Sequence, residues 1–290
     1  MADETTDTQA GGDPRITPAR GDIAALHLKD VVEADAYVSG EEMRVAVPAA
    51  PLTARPDGEA EMVSQLLFGE AFTVYEAEGG WAWGQSALDG YVGYLPAHDL
   101  VPASGSGPDH RVSALQAIIY PEPDMKTRPI GAVPFGSLVT AKGEEGAFAA
   151  LDPGGYTPMR ALIETGAREA LWVATAERFI GAPYLWGGRS PAGLDCSGLI
   201  QLALQAAGAA CPRDSDQQMA ALGRDVSPKK LARGDLVFWK GHVGVMTSPT
   251  RLLHANAHHM EVVEEAFESA ATRIARNEFG DVLAVKRISI

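Results

Sequence analysis

The stretch Tyr184–Gly208, YLWGGRSPAGLDCSGLIQLALQAAG, decides how the chain is read. Its first half carries Gly187, Gly188, Pro191 and Gly193, which keep a loop free of bulky side chains. Its second half, from Cys196 to Ala207, is an apolar helical run stopped by Gly208. Cys196 therefore opens a helix. Unpaired N–H groups and the positive end of the helix dipole favour a thiolate there, which predicts a thiol pKa lowered from ~8.5 toward neutrality. Cys211 is followed directly by Pro212, has no such setting, and is read as a buried structural thiol. Two cysteines form neither a disulfide framework nor the paired spacing of a zinc site.

Upstream of this stretch, REALWVATAERFIG (168–181) spaces apolar residues by three and four and reads as an amphipathic helix ending at Gly181. Downstream come the strand-like segments DLVFW, HVGVM, RLLHANA, MEVVEE and VLAVKRISI. Helices first and antiparallel strands later define an α+β domain over residues 167–290. A cysteine nucleophile gains most from an imidazole that takes its proton and later protonates the leaving amine. His242 opens HVGVM after the turn WKGH, and His254 lies on the next strand, RLLHANA. A hairpin through TSPT would let His254 reach back and fix the tautomer of His242, giving a Cys196, His242, His254 triad. His258 and His259 could join His254 as metal ligands, but no cysteine or carboxylate stands at ligand spacing, so they are read as turn residues.

The run DCSGLIQLAL, RGDLVFW, GHVGVM and LLHAN, in that order, resembles the NlpC family of papain-like cell-wall peptidases over about Glu169–Ile290. The resemblance implies Cys196 as nucleophile, His242 as base and His254 as the third polar residue. It also implies that Tyr184 helps the oxyanion site and that Asp195 and Ser197 contact substrate. The implied reaction is cleavage between γ-D-glutamate and a diamino acid of a wall peptide, by acyl transfer to cysteine and then to water, with no metal or organic cofactor.

Before the α+β domain, short apolar segments are broken by Gly, Pro and Asp, the pattern of small all-β barrels. Residues 39–103 hold one unit, with Asp89-Gly90 as a hairpin turn. SGSGPDH (104–110) is a linker. Residues 111–164 hold a second unit, whose PFGS turn and Gly-Gly echo LFGEAFTVYEAEGGWAWG and suggest an internal duplication. Both resemble bacterial SH3-like domains. Residues 1–38 read as an extended lead-in with one short helix around Asp22–Leu28 and no assigned chemistry.

Two SH3-like barrels ahead of an NlpC domain resemble murein-recycling members that take free stem peptides with an unblocked L-Ala. This implies Asp214 and Ser215, in CPRDSDQQ, and Tyr91, in DGYVGYL, as readers of the amine end, with Glu61 a further candidate. From the residues alone, Asp214 and Ser215 equally suit a helix N-cap ahead of Gln217 and Gln218, and Tyr91 a barrel-surface aromatic. Arg213 is read as solvated.

A formal net charge of -14 disfavours nucleic acid, anionic lipid and anionic wall polymers as partners and favours a small peptide. Met1–Arg20 is acidic where a signal peptide is basic, and no apolar run reaches the ~18 residues of a membrane helix, so a cytoplasmic protein is expected. The competing readings are a wall-peptide-binding protein with an inert third domain, and a papain-like amidase or acyltransferase.

Overall fold

The computed structural model describes residues 12–103, 105 and 107–289. The first eleven residues of the lead-in and two of the linker lie outside the described residues.

The first β unit comprises β1 (Glu41–Val45), β2 (Ala49–Thr53), β3 (Met62–Leu67), β4 (Ala71–Glu78), β5 (Trp81–Ser86), β6 (Val92–Pro96) and β7 (Leu100–Pro102). They form one sheet in the order β3-β2-β6-β5-β4-β1-β7. Alternate side chains point inward, so Val45, Leu52, Leu66, Phe72 and Leu95 make a core of their own. The β4–β5 turn is Gly79-Gly80, both at positive φ (58° and 86°), which only glycine adopts at no steric cost. Gly90 (φ 77°) serves the same need before β6.

The second β unit comprises β8 (His110–Val112), β9 (Gln116–Ile119), β10 (Gly131–Pro134), β11 (Leu138–Glu145), β12 (Phe148–Asp152), β13 (Tyr156–Pro158) and β14 (Leu162–Glu164). Its plan repeats that of the first. The opening strand pairs with the long fourth strand and with the last strand in both units (β1 with β4 and β7, β8 with β11 and β14). A hairpin of the second and third strands follows in each, and a 3₁₀ turn precedes the last strand in each, at Ala97–Asp99 and Met159–Ala161. Val112, Val133, Val139 and Ala149 form its core.

The C-terminal domain comprises α1 (Trp172–Glu177), α2 (Cys196–Ala206), α3 (Ser215–Ala221), β15 (Asp235–Trp239), β16 (His242–Ser248), β17 (Arg251–Asn256), β18 (Glu261–Ala266), α4 (Phe267–Asn277) and β19 (Ala284–Arg287). A two-residue edge strand, Arg224–Asp225, starts a sheet that continues β19-β15-β16-β17-β18, with antiparallel pairing throughout. Helix α2 is buried on nearly every face, the mark of a central helix, and Leu199, Ile200, Leu202, Ala203 and Leu204 are buried against β16 and β17. Each fully buried leucine of this kind contributes roughly 1.5–3 kcal/mol.

The three units share packing. The β3–β4 turn carries Phe68-Gly69 and the β10–β11 turn carries Phe135-Gly136. Leu67 and Phe135, beside those turns, are buried in the core of the C-terminal domain, while Phe68 packs into the core of the second unit. A Cβ on Gly69 would stand 2.0 Å from the Leu138 carbonyl oxygen, so only glycine permits this approach.

The lead-in differs from its expected form. Ile23–Ala25 is extended and pairs in parallel with Ala36–Val38, and only Leu26–Leu28 coils, as a 3₁₀ turn. A helix of one or two turns has no cooperative propagation, and the local strand pair wins. Helix α1 is also shorter than its apolar spacing suggests, ending at Glu177 and reaching Gly181 through turns.

Candidate active site

Cys196 is the first residue of α2, and Asp195 is its N-cap. Asp195 Oδ1 accepts from the Gly198 N–H at 2.6 Å, and Oδ2 accepts from the Gly187 N–H at 3.0 Å. Arg213 clamps the same carboxylate with both Nη atoms, at 3.0 and 2.6 Å, and donates to Ser197 Oγ at 2.9 Å and Ser64 Oγ of β3 at 3.0 Å. Arg213 is 1% exposed, so the expectation that it is solvated is wrong. A guanidinium can be held dry when its partner carboxylate also caps a helix.

The thiol departs from expectation too. Burial, and then the Asp195 carboxylate, push Cys196 up to about 12. The backbone N–H groups of Val243 and Ser197 and the charge on Arg213 pull the other way without overcoming this. Desolvation of a largely buried sulfur outweighs the half-charge of a helix end. Burial likewise pushes the Cys211 thiol up, and Cys211 has no imidazole partner.

A chain of polar groups joins β16, β17 and β18. His242 begins β16 after the Lys240-Gly241 turn, stacks on Phe279 at 5.2 Å and tilts against Trp239 at 5.7 Å. Its Nε2 lies 2.8 Å from Nδ1 of His254, and His254 Nε2 lies 2.9 Å from Glu265 Oε1. Glu265 also accepts from Arg273 at 2.5 Å. Hydrogen bonds from His254 and Arg273, with their charges, hold the Glu265 carboxyl down at about 2 against the opposing effect of burial, so it is an acceptor only. His254 must then carry its proton on Nε2, and its bare Nδ1 must accept from Nε2–H of His242. This leaves the lone pair on Nδ1 of His242 as the free base. Burial, the neighbouring His254 and Arg273 push His242 down to about 3, and burial lowers His254 as well. The shifts of Cys196 and His242 both run in the direction that favours a neutral thiol and a neutral imidazole. Val243, whose N–H is among the groups that lower the thiol, is the residue after His242, and β16 packs against α2.

A cleft of about 250 Å³ opens over Cys196. It is lined by Tyr184, Asp195 and Ser197, by Glu61 and Tyr91 of the first β unit, and by Asp214 and Ser215. Thus eight of the ten candidate residues meet in one cleft, and the other two, His242 and His254, are buried and bonded to each other. Burial and the nearby Cys196 and Asp195 push the Tyr184 phenol upward, so it stays a donor. Tyr91 is buried and donates to Asp214 Oδ2 at 2.9 Å. Asp214 also caps α3 in a capping box with Gln217, as its place ahead of Gln217 and Gln218 suggests. A larger cavity of about 480 Å³, lined by Arg111, Phe135 and Leu202, lies where the three units meet; it holds no nucleophile or histidine and is not the reacting centre.

Two residues beyond the expected set bear on the site. Glu265 ends the histidine chain, visible in sequence only as one of two adjacent glutamates on a strand. Arg15 of the lead-in, a segment read as without chemistry, reaches the cleft and donates to Asp214 Oδ2 at 2.8 Å.

A thiol at a helix start, an imidazole on the adjacent strand and a third polar residue beyond it define a papain-like cysteine peptidase. Residues 181–277 match the NlpC/P60 family and residues 52–100 match the bacterial dipeptidyl-peptidase Sh3 domain, so the chain carries an NlpC/P60 domain behind such an SH3 domain. It is 28% identical over 236 residues to dipeptidyl-peptidase 6 of Lysinibacillus sphaericus, covering 73% of this chain and 87% of that one. It is 38% identical over 91 residues to the gamma-D-glutamyl-L-lysine dipeptidyl-peptidase of Bacillus subtilis (strain 168), covering 29% of this chain and 30% of the relative. An NlpC/P60 family protein from Bacillus cereus shares the fold, with a TM-score of 0.72 at 20% identity over 85% of this chain and 99% of that one.

Proposed function

We propose that this chain hydrolyses the γ-D-glutamyl–diamino acid bond of free wall stem peptides that carry an unblocked N-terminal L-Ala, in cytoplasmic recycling of those peptides. The observation that carries the reading is the cleft, where Asp214, Tyr91 and Glu61 place an acidic, hydrogen-bonded wall within one small cavity of the candidate nucleophile. An ammonium suits that wall, and a blocked amine forfeits the charge pairing. The names of the Lysinibacillus and Bacillus relatives, both dipeptidyl-peptidases, support a product of two residues. The net charge of -14 supports a small soluble substrate over anionic polymer.

In the proposed reaction, Nδ1 of His242 takes the Cys196 proton as the sulfur attacks the γ-carbonyl carbon. Tyr184 and the N–H groups at the start of α2 donate to the oxyanion. The imidazolium of His242, steadied through His254 by Glu265, gives its proton to the departing amine. Water, deprotonated by His242, then releases the acyl group and restores the thiol. Asp195 and Ser197 order the start of α2 through Arg213, and Ser215 borders the amine end. The whole cycle needs no cofactor.

We read the domains as a lead-in (1–38), two SH3-like barrels (39–103 and 111–164) and the peptidase domain (167–290). The repeated strand plan supports the second barrel as a divergent copy of the first.

The test is incubation with L-Ala-γ-D-Glu-diaminopimelate and its N-acetylated copy, followed by mass spectrometry, beside Cys196→Ala and Cys211→Ala. Cleavage of the free peptide, lost in Cys196→Ala and kept in Cys211→Ala, is expected. Equal cleavage of both peptides removes the amine-reading, and equal losses in the two cysteine variants remove the nucleophile assignment.

A further inference from the structure

We propose that Arg15 is the stop at the amine end of the cleft and a determinant of how far a substrate extends past its L-Ala; this rests on the reading of Asp214 as the amine-facing carboxylate. The guanidinium is held by three carboxylates. Nε donates to Asp13 Oδ1 at 3.0 Å, Nη1 to Asp214 Oδ2 at 2.8 Å and Asp216 Oδ1 at 2.9 Å, and Nη2 to Asp13 Oδ2 and Asp216 Oδ2, each at 2.7 Å. A guanidinium has five N–H donors, and these contacts use all of them. Arg15 therefore has no donor left for a substrate carboxylate, so it does not read substrate by hydrogen bonding. What remains to it is to fill space and to hold Asp214.

The segment that delivers Arg15 is tied down along its length. The Arg15 carbonyl accepts from the Val92 N–H at 2.8 Å, Gln85 donates to the Ile16 carbonyl at 3.0 Å, and Gln217 donates to Asp13 at 2.9 Å. Further along, Arg20 lies 4.5 Å from the Trp83 ring centroid and pairs with Glu76 at 2.7 Å. The strap thus bridges the first β unit and α3, and closes the gap between them beside the cleft. Charge is consistent with this role. One guanidinium among Asp13, Asp214 and Asp216 leaves a net charge of 1 − 3 = −2 at this end, and Glu61 adds to it, so an incoming ammonium is still attracted. An acyl group on that nitrogen would meet the strap and bring no charge, and a further residue would carry its ammonium past Asp214 toward the Arg15 guanidinium.

The experiment compares wild type, Arg15→Ala and Arg15→Lys on the free tripeptide, its N-acetylated copy and a copy lengthened by one N-terminal residue, reading kcat and KM separately. In Arg15→Ala the preference for the free over the acetylated peptide should fall by about tenfold, equivalent to roughly 1.4 kcal/mol. The change should come mainly from a lower KM for the blocked and lengthened peptides. Arg15→Lys, which keeps the charge but cannot bridge three carboxylates, should fall between, and it supplies the answer if Arg15→Ala does not fold. Equal losses on all three peptides, or an unchanged preference, overturn the proposal, since a merely structural clamp would behave so. Wild type cleaving free and blocked peptides alike would overturn the amine-reading itself and this proposal with it, whereas a discriminating wild type with equally discriminating variants overturns the role of Arg15 alone.

Discussion

The two β units share a strand plan and differ in where two matched side chains go. Tyr91 and Tyr156 each follow a glycine at positive φ and sit at the start of the sixth strand of their unit. The Tyr91 hydroxyl crosses to Asp214 of the C-terminal domain at 2.9 Å, whereas the Tyr156 hydroxyl stays within its own unit, on Glu145 at 3.1 Å. In the Phe-Gly turns, Glu70 follows the first and Ser137 the second. Glu70 takes both Nη atoms of buried Arg189, at 3.0 and 3.2 Å, while the buried Ser137 hydroxyl has no partner among the described residues. The shared topology is a scaffold. Polar side chains of the first unit line the cleft, and the second unit contributes Phe135 to the core of the C-terminal domain.

The strongest test of this contrast is Glu70→Ala, which leaves the Arg189 guanidinium buried at 1% exposure without its carboxylate. It should cost about 3–5 kcal/mol, measured as a lower urea midpoint. The next separates both β units from the C-terminal domain. The unfolded chain protonates His242 near its ordinary ~6.5, the folded chain only near about 3, so between these values the unfolded state binds more protons. Stability should be full above that window and fall as pH is lowered through it, by up to about 1.4 kcal/mol per pH unit, and His242→Asn should flatten the slope. A flat wild-type profile would place His242 in a solvated setting. Smaller again, Tyr91→Phe should lower kcat/KM for the free peptide by about tenfold through loss of a hydrogen bond to a carboxylate. The matched second-unit changes should do least: Ser137→Ala within about 1 kcal/mol of wild type by urea unfolding, and Tyr156→Phe within roughly twofold in kcat/KM. If Tyr156→Phe matched Tyr91→Phe, the division of roles between the units would collapse.

Much of the site was legible because its signals are local. Glycines before Cys196, an apolar helix after it, and period-two strands carrying His242 and His254 at their expected places all lie within a few residues of what they determine. The residues that escaped notice act across distance. Arg213 finds Asp195 and Ser64, and Arg15 finds Asp214 and Asp216, only through tertiary packing. A guanidinium that neutralises buried acids looks, in sequence, like any exposed one. Helix α4 was also missed, because Phe267, Ala270 and Ile274 set a narrow apolar stripe in an otherwise charged run. The thiol was misjudged for a related reason: helix polarity can be read from the chain, but enclosure of the sulfur cannot. Iodoacetamide labelling of Cys196 should accordingly keep accelerating beyond about pH 9, and a plateau near neutrality would mean a preformed ion pair.

The placement of Leu67 and Phe135 in the core of the C-terminal domain has a consequence for the birth of the molecule. Both β units leave the ribosome first, and each must wait with one apolar side chain bare until α2 is synthesised and covers it. Their docking sites mature last, so the nascent chain acquires its cleft and its final cohesion in a single late event.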